Sequence, residues 1–128
     1  MSDRIRVAVA GAAGRMGRAA VRAIARESDL TLAGALGRTA GIGRDAGEVA
    51  GTGRLGVEIS ADLEALLAGA VDVLVDFCPG VAAVAHARTA IPRGIAPVIG
   101  GTGLSTEQIN DLTALCGARG LGGVIASF

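Results

Sequence analysis

Residues 7–21, VAVAGAAGRMGRAAV, decide how this chain is read. Val7, Ala8, Val9 and Ala10 form an apolar run with no polar alternation, the pattern of a strand buried on both faces. Beyond it Met16, Ala20, Ile24 and Ala25 recur at helical spacing, with arginines on the opposite side. Three glycines, Gly11, Gly14 and Gly17, fall where the strand gives way to the helix. In such a turn Gly11 permits the sharp reversal, Gly14 lets an anion reach the backbone, and Gly17 lets helix and sheet pack closely. The N–H groups opening the helix then face that anion. A tight turn without a ligand has the same spacing. The strand before it and the helix after it favour a nucleotide phosphate.

Outward from this turn, short apolar runs alternate with helical patterns. Strands are expected at 5–11, 30–36, 71–77, 96–101 and 122–127. Helices are expected at 15–27, at 61–69 with Ser60 as N-cap, at 81–91 ending before Pro92, and at 105–120. The last opens with a capping box, Ser105 to Gln108. Residues 37–56 hold seven glycines and little periodicity, and read as a long loop. Strand–helix alternation implies parallel strands with right-handed crossovers. The expected fold is an α/β, three-layer, Rossmann-like doubly wound sheet filling residues 1–128. It would bind its ligand beyond the carboxyl ends of the strands.

Composition narrows the function. Twelve arginines balance twelve acidic residues, so no basic excess points to nucleic acid or a membrane surface. Phe77 and Phe128 are the only aromatics, too few for a base-stacking platform. No apolar run reaches the roughly 18 residues of a membrane span, and no signal peptide is evident. Cys78 and Cys116 fit no CxxC or zinc spacing and read as small buried apolar residues. A reducing cytoplasmic setting is expected.

The adenosine end of a dinucleotide site normally carries an acid at the end of the second strand, accepting bonds from the ribose hydroxyls. Here Gly37 stands there, followed by Arg38. A cation without an acid favours a 2′-phosphate, so NADPH is expected over NADH.

VAVAGAAGRMG, GRDAGEVAG (43–51), VDVLVDF (71–77) and PVIGGTGLSTEQ (97–108) follow one another at spacings that resemble the N-terminal domain of the 4-hydroxy-tetrahydrodipicolinate reductase (dihydrodipicolinate reductase) family. The resemblance covers nearly the whole chain. It implies an NADH- or NADPH-dependent oxidoreductase of the diaminopimelate route to lysine. It implies pyrophosphate contacts at Gly11, Ala13, Gly14, Arg15 and Met16 and an adenosine-phosphate contact at Arg38. Phe77 and Cys78 would lie beside the nicotinamide. Gly100, Gly101 and Thr102 would hold its carboxamide, with Thr102 and Gly103 near substrate. Ala126 and Phe128 would belong to the segment after the last strand.

The chain departs from the family pattern at several of these places. Gly37 replaces an acid, Cys78 and Gly101 replace threonines, Ser127 replaces an asparagine, and Pro79-Gly80-Val81 lacks the usual Pro-Glu order. The family's catalytic His-His and Lys motif, and its tetramer contacts, belong to a C-terminal domain expected to be absent here. This chain has no lysine, and its one histidine, His86, reads as a surface or packing residue. Asp45 and Glu48 are expected to fix the glycine-rich loop through backbone hydrogen bonds. The chain by itself is expected to bind cofactor without catalysis, with no catalytic residue and no metal. Two alternatives stay open: a free-standing nucleotide-binding module, and an engineered scaffold of the same fold without enzymatic activity.

Overall fold

The computed structural model describes residues 4–125; expectations for Ala126, Ser127 and Phe128 fall outside them. Six strands form one parallel sheet: β1 (Ile5–Ala10), β2 (Leu30–Leu36), β3 (Ile59–Ser60), β4 (Val73–Asp76), β5 (Ala96–Ile99) and β6 (Val124–Ile125). Their order is β3-β2-β1-β4-β5-β6. The helices are α1 (Arg15–Arg26), α2 (Ala46–Ala50), α3 (Leu63–Ala68), α4 (Gly80–Ala90) and α5 (Thr106–Ala118). Because β2 and β3 are added outward on one side of β1 and β4 to β6 on the other, the direction of winding reverses between β1 and β4 while all strands stay parallel. A crevice opens there at the strands' carboxyl ends.

Alternation along β1 divides the core. Val7 and Val9 pack with Val21 and Ile24 of α1 and with Ala46 and Ala50 of α2. Ala8 and Ala10 face the other way, with Leu67 of α3 and Ala90 of α4. A third cluster joins α4, α5 and Ile99. In β2 the register slips: Val7 pairs with Leu32 but Ala8 with Gly34, leaving exposed Ala33 as a bulge. The extra residue inverts the parity, so Leu32 before it and Ala35 after it share one face.

Several expected boundaries move. The buried stripe of α1 is Gly17, Val21 and Ile24, whereas Met16 is 57% exposed and Ala25 also faces solvent. The 37–56 segment is not all loop, since α2 forms within it. Its signal was hidden by helix-weakening Gly47, buried where a β-carbon would lie 2.1 Å from Gly53 O. Asp62, not Ser60, caps α3, accepting from Ala65 N at 3.1 Å; Ser60 Oγ accepts from Asp62 N. A 3₁₀ turn, Ile91–Arg93, continues α4 through Pro92. The Ser105–Gln108 capping box forms as expected.

Candidate functional site

The turn after β1 is shaped by its glycines. Gly11 adopts φ +80°, open to glycine at little cost. A β-carbon on Gly17 would lie 1.9 Å from Gly11 O and 2.6 Å from Gly11 C, so helix and turn touch at backbone distance. Gly14 differs: its β-carbon would meet only Gly11 O, at 3.4 Å. Gly14 is also the N-cap of α1 and supplies no side-chain cap to the helix's first N–H groups. The protein's own packing therefore does not demand glycine at position 14.

Around this turn lies an open cleft of about 460 Å³. Gly11, Ala13, Gly14, Arg15, Met16, Arg38, Phe77 and Cys78 all line it, so eight predicted positions converge on one space. Pro79 adds to its wall, as do Thr39 and Ala40, which were not singled out from sequence. Gly100, Gly101, Thr102 and Gly103 are not among its lining residues and instead pack against the 77–80 turn that is. A β-carbon on Gly101 would lie 2.1 Å from Cys78 O, and Gly80 N donates to Thr102 O at 2.7 Å. This loop thus braces the 77–80 turn by backbone contact, at a distance that leaves no room for a β-carbon at 101.

At the end of β2, Gly37 is required by packing. A β-carbon there would approach Ile59 Cγ2 to 2.7 Å, and Ile59 is fully buried. An acidic side chain is sterically excluded unless Ile59 gives way, and exposed Arg38 is the charged group left at this edge. Arg38 also lines a second cavity of about 590 Å³, between β2, α3 and α4, with Leu36, Cys78 and His86.

Asp76 and His86 are the residues sequence reasoning undervalued. Asp76 closes β4, is 1% exposed, and its Oδ2 lies 2.7 Å from His86 Nδ1. Oδ1 accepts from Cys78 N at 2.9 Å. Burial pushes the carboxyl up, but hydrogen bonds from His86 and Cys78 N outweigh it and leave the pKa below the ordinary value. An ionised carboxylate only accepts, so His86 Nδ1 carries the proton and donates. His86, expected as a surface or packing residue, is a largely buried partner of this carboxylate. The available signal was an acid ending the otherwise apolar strand VDVLVDF. Cys78 differs from buried Cys116 too: it is half-buried, and burial together with the Asp76 charge raises its thiol to about 12.

In the segment between β2 and β3, the Asp45 carboxylate accepts five backbone bonds, from Gly47, Glu48, Leu55, Gly56 and Val57, at 2.7–3.2 Å. Those bonds, led by Leu55 N, lower its pKa to about 2. Asp45 thus fixes the glycine-rich segment as expected. The Glu48 carboxylate instead faces Arg54 at 3.7 Å.

Comparison with known proteins extends these observations. The family model for "Dihydrodipicolinate reductase, N-terminus" matches residues 5–127. The chain is 45% identical over 123 residues to 4-hydroxy-tetrahydrodipicolinate reductase of Moorella thermoacetica, covering 95% of this chain and 46% of that protein. It is 45% identical over 127 residues to the reductase of the same name from a Cyanothece species, covering 94% and 46%. The chain spans about half the length of the curated relatives it matches. Among solved structures it is similar to dipicolinate-bound dihydrodipicolinate reductase from Paenisporosarcina sp. TG-14. There the TM-score is 0.80 at 28% identity, over 96% of this chain and 47% of that one.

Proposed function

The chain belongs to the family of the dihydrodipicolinate reductase N-terminal domain, and from that premise we propose that it holds the nicotinamide dinucleotide of a cytoplasmic 4-hydroxy-tetrahydrodipicolinate reductase, NADPH in preference to NADH. The observation that carries this is Gly14. Gly17 is glycine because the fold has no room for a side chain; Gly14 is glycine although the fold has room. Space kept clear at the uncapped start of a 12-residue helix suits a pyrophosphate, whose charge the helix N–H groups would receive.

When bound, the dinucleotide supplies a hydride. The chain's residues bind and orient it. The Gly11–Met16 turn receives the pyrophosphate and Arg38 the adenosine 2′-phosphate. Phe77 and Cys78, braced by Gly100, Gly101 and Thr102, border the nicotinamide end, with Thr102 and Gly103 toward substrate. Arg38 without a neighbouring acid supports the choice of NADPH, because a guanidinium pairs with a phosphate where a carboxylate would repel it. Chemistry on the substrate belongs, in this reading, to the half of these reductases that the chain does not span, together with the tetramer contacts implied by the resemblance. The chain alone is therefore expected to show no turnover.

A Gly14→Val substitution tests the site. The added methyls occupy the space in front of α1. Calorimetric titration of the variant should show NADPH binding abolished while circular dichroism matches the parent. Unchanged affinity in a folded variant would reduce the turn to a purely structural one.

A further inference from the structure

We propose that Asp76, Cys78 and His86 form a three-donor site for zinc(II) at the carboxyl end of β4, open on its fourth side to the 590 Å³ cavity. The site shares Cys78 with the nucleotide cleft, and its cavity shares Gly11 and Arg38, but its donors are read from their own convergence and do not depend on the reading above.

Geometry carries the argument. A carboxylate oxygen, the Cys78 Sγ and a His86 ring nitrogen all lie within 4.8 Å of one another, the one such convergence of three donors among the described residues. Zinc bonds of about 2.0–2.3 Å set tetrahedral donors roughly 4 Å apart or less. Small side-chain adjustments therefore bring all three onto one ion. The 2.7 Å bond between Asp76 and His86 must open for this, with the ion taking the place of the shared proton.

The donor chemistry fits as well. Sulfur, imidazole nitrogen and carboxylate oxygen make a borderline set, suited to zinc and poorly suited to magnesium or calcium. A thiolate and a carboxylate offset the dication's charge, so the half-buried assembly is neutral overall. The thiol must lose its proton to solvent as the sulfur–zinc bond forms; the His86 proton moves from Nδ1 to Nε2 if Nδ1 ligates, with no net release there. Three protein ligands and a vacant fourth direction describe an open zinc site.

Placement makes the site rigid and reachable. Asp76 ends a central strand, and Cys78 is fixed by its N–H bond to Asp76 and by the contact of its carbonyl with Gly101. His86 stands on α4, whose neighbours Ala83, Val84 and Ala87 are buried. Cys78 and His86 both line the larger cavity, which provides the path of entry. The sequence hid the site because its donors are not a paired-cysteine motif. They come from a strand end, a turn and a helix.

The test is titration of the full chain, free of nucleotide, with cobalt(II) followed by absorbance and with zinc(II) followed by calorimetry. One equivalent should bind, cobalt should show a thiolate charge-transfer band, and zinc should displace it. Cys78→Ser, which keeps a hydroxyl beside Asp76, should remove the band. Cys116→Ala should leave it. His86→Gln should weaken binding by at least about tenfold while circular dichroism stays that of the parent. Should His86→Gln fail to fold, the Cys78→Ser and Cys116→Ala pair decides alone. Absence of the band in the parent, its survival in Cys78→Ser, or unchanged affinity in folded His86→Gln would overturn the proposal.

Discussion

At the scale of single residues, the proposed nucleotide edge turns on Gly37, Arg38 and Ile59. Sequence places a glycine where an acid is usual, and the structure adds the reason: buried Ile59 fills the volume a side chain would need. Arg38 is exposed, so the proposed pairing with a 2′-phosphate would be partly screened and would work at the low end of charge-assisted bonds. Arg38→Ala should lower NADPH affinity by about tenfold and leave NADH affinity unchanged, abolishing most of the preference. Paired calorimetric titrations in low and high salt check this. The parent's preference should narrow with salt, and a preference that persists in Arg38→Ala would relocate the adenosine end.

Elements show how one motif divides its labour. The β1–α1 turn contains three glycines that look equivalent in sequence, yet each answers a different constraint. Gly11 satisfies a positive φ, Gly17 a backbone contact, and Gly14 neither. Gly17→Ala would drive its methyl into Gly11 O and the Ala12 Cα, groups of main chain that cannot rotate aside. It should destabilise the fold by about 1–3 kcal/mol or more, read as a fall in the urea midpoint. Gly14→Ala meets no such clash and should cost only about 0.5–1 kcal/mol, the difference between glycine and alanine as N-cap of α1. Equal losses in the two variants would erase the distinction on which the ligand reading of Gly14 rests.

For the molecule as a whole, acid sensitivity follows from two carboxylates tied to different parts of the sheet. Asp45, held by five N–H groups, and Asp72, held by the Arg6 guanidinium and backbone N–H, both titrate at about 2 against an ordinary 3.8. Their folded pKa values are depressed, so their contribution to stability is full above 3.8 and is lost as pH falls toward 2. Urea midpoints should drop across that window. Asp45→Asn, which presents an amide to N–H donors, should lower the midpoint at neutral pH and flatten the decline. A midpoint that is level from 3.8 down to 2 would contradict both assignments.

What the sequence determined by itself was set by local pattern. The apolar run, the glycines and the helical arginine face specify strand, turn and helix within one stretch. Repetition of that unit implies the parallel sheet and places the cleft at its carboxyl end. Family membership was legible for the same reason, since its motifs are contiguous. The unseen part required distant chain segments to meet. Helix α2 forms in a glycine-rich stretch because the Asp45 carboxylate gathers amides from residues 47–57 and caps it. Ala33 becomes a bulge only once β2 must present both Leu32 and Ala35 to α1 and α2. Asp76 and His86 look unrelated along the chain, one ending a strand and one inside a helix. Only the packing of α4 against β4 brings a buried carboxylate and an imidazole to 2.7 Å, because a buried charge is tolerated only where the fold supplies its partner.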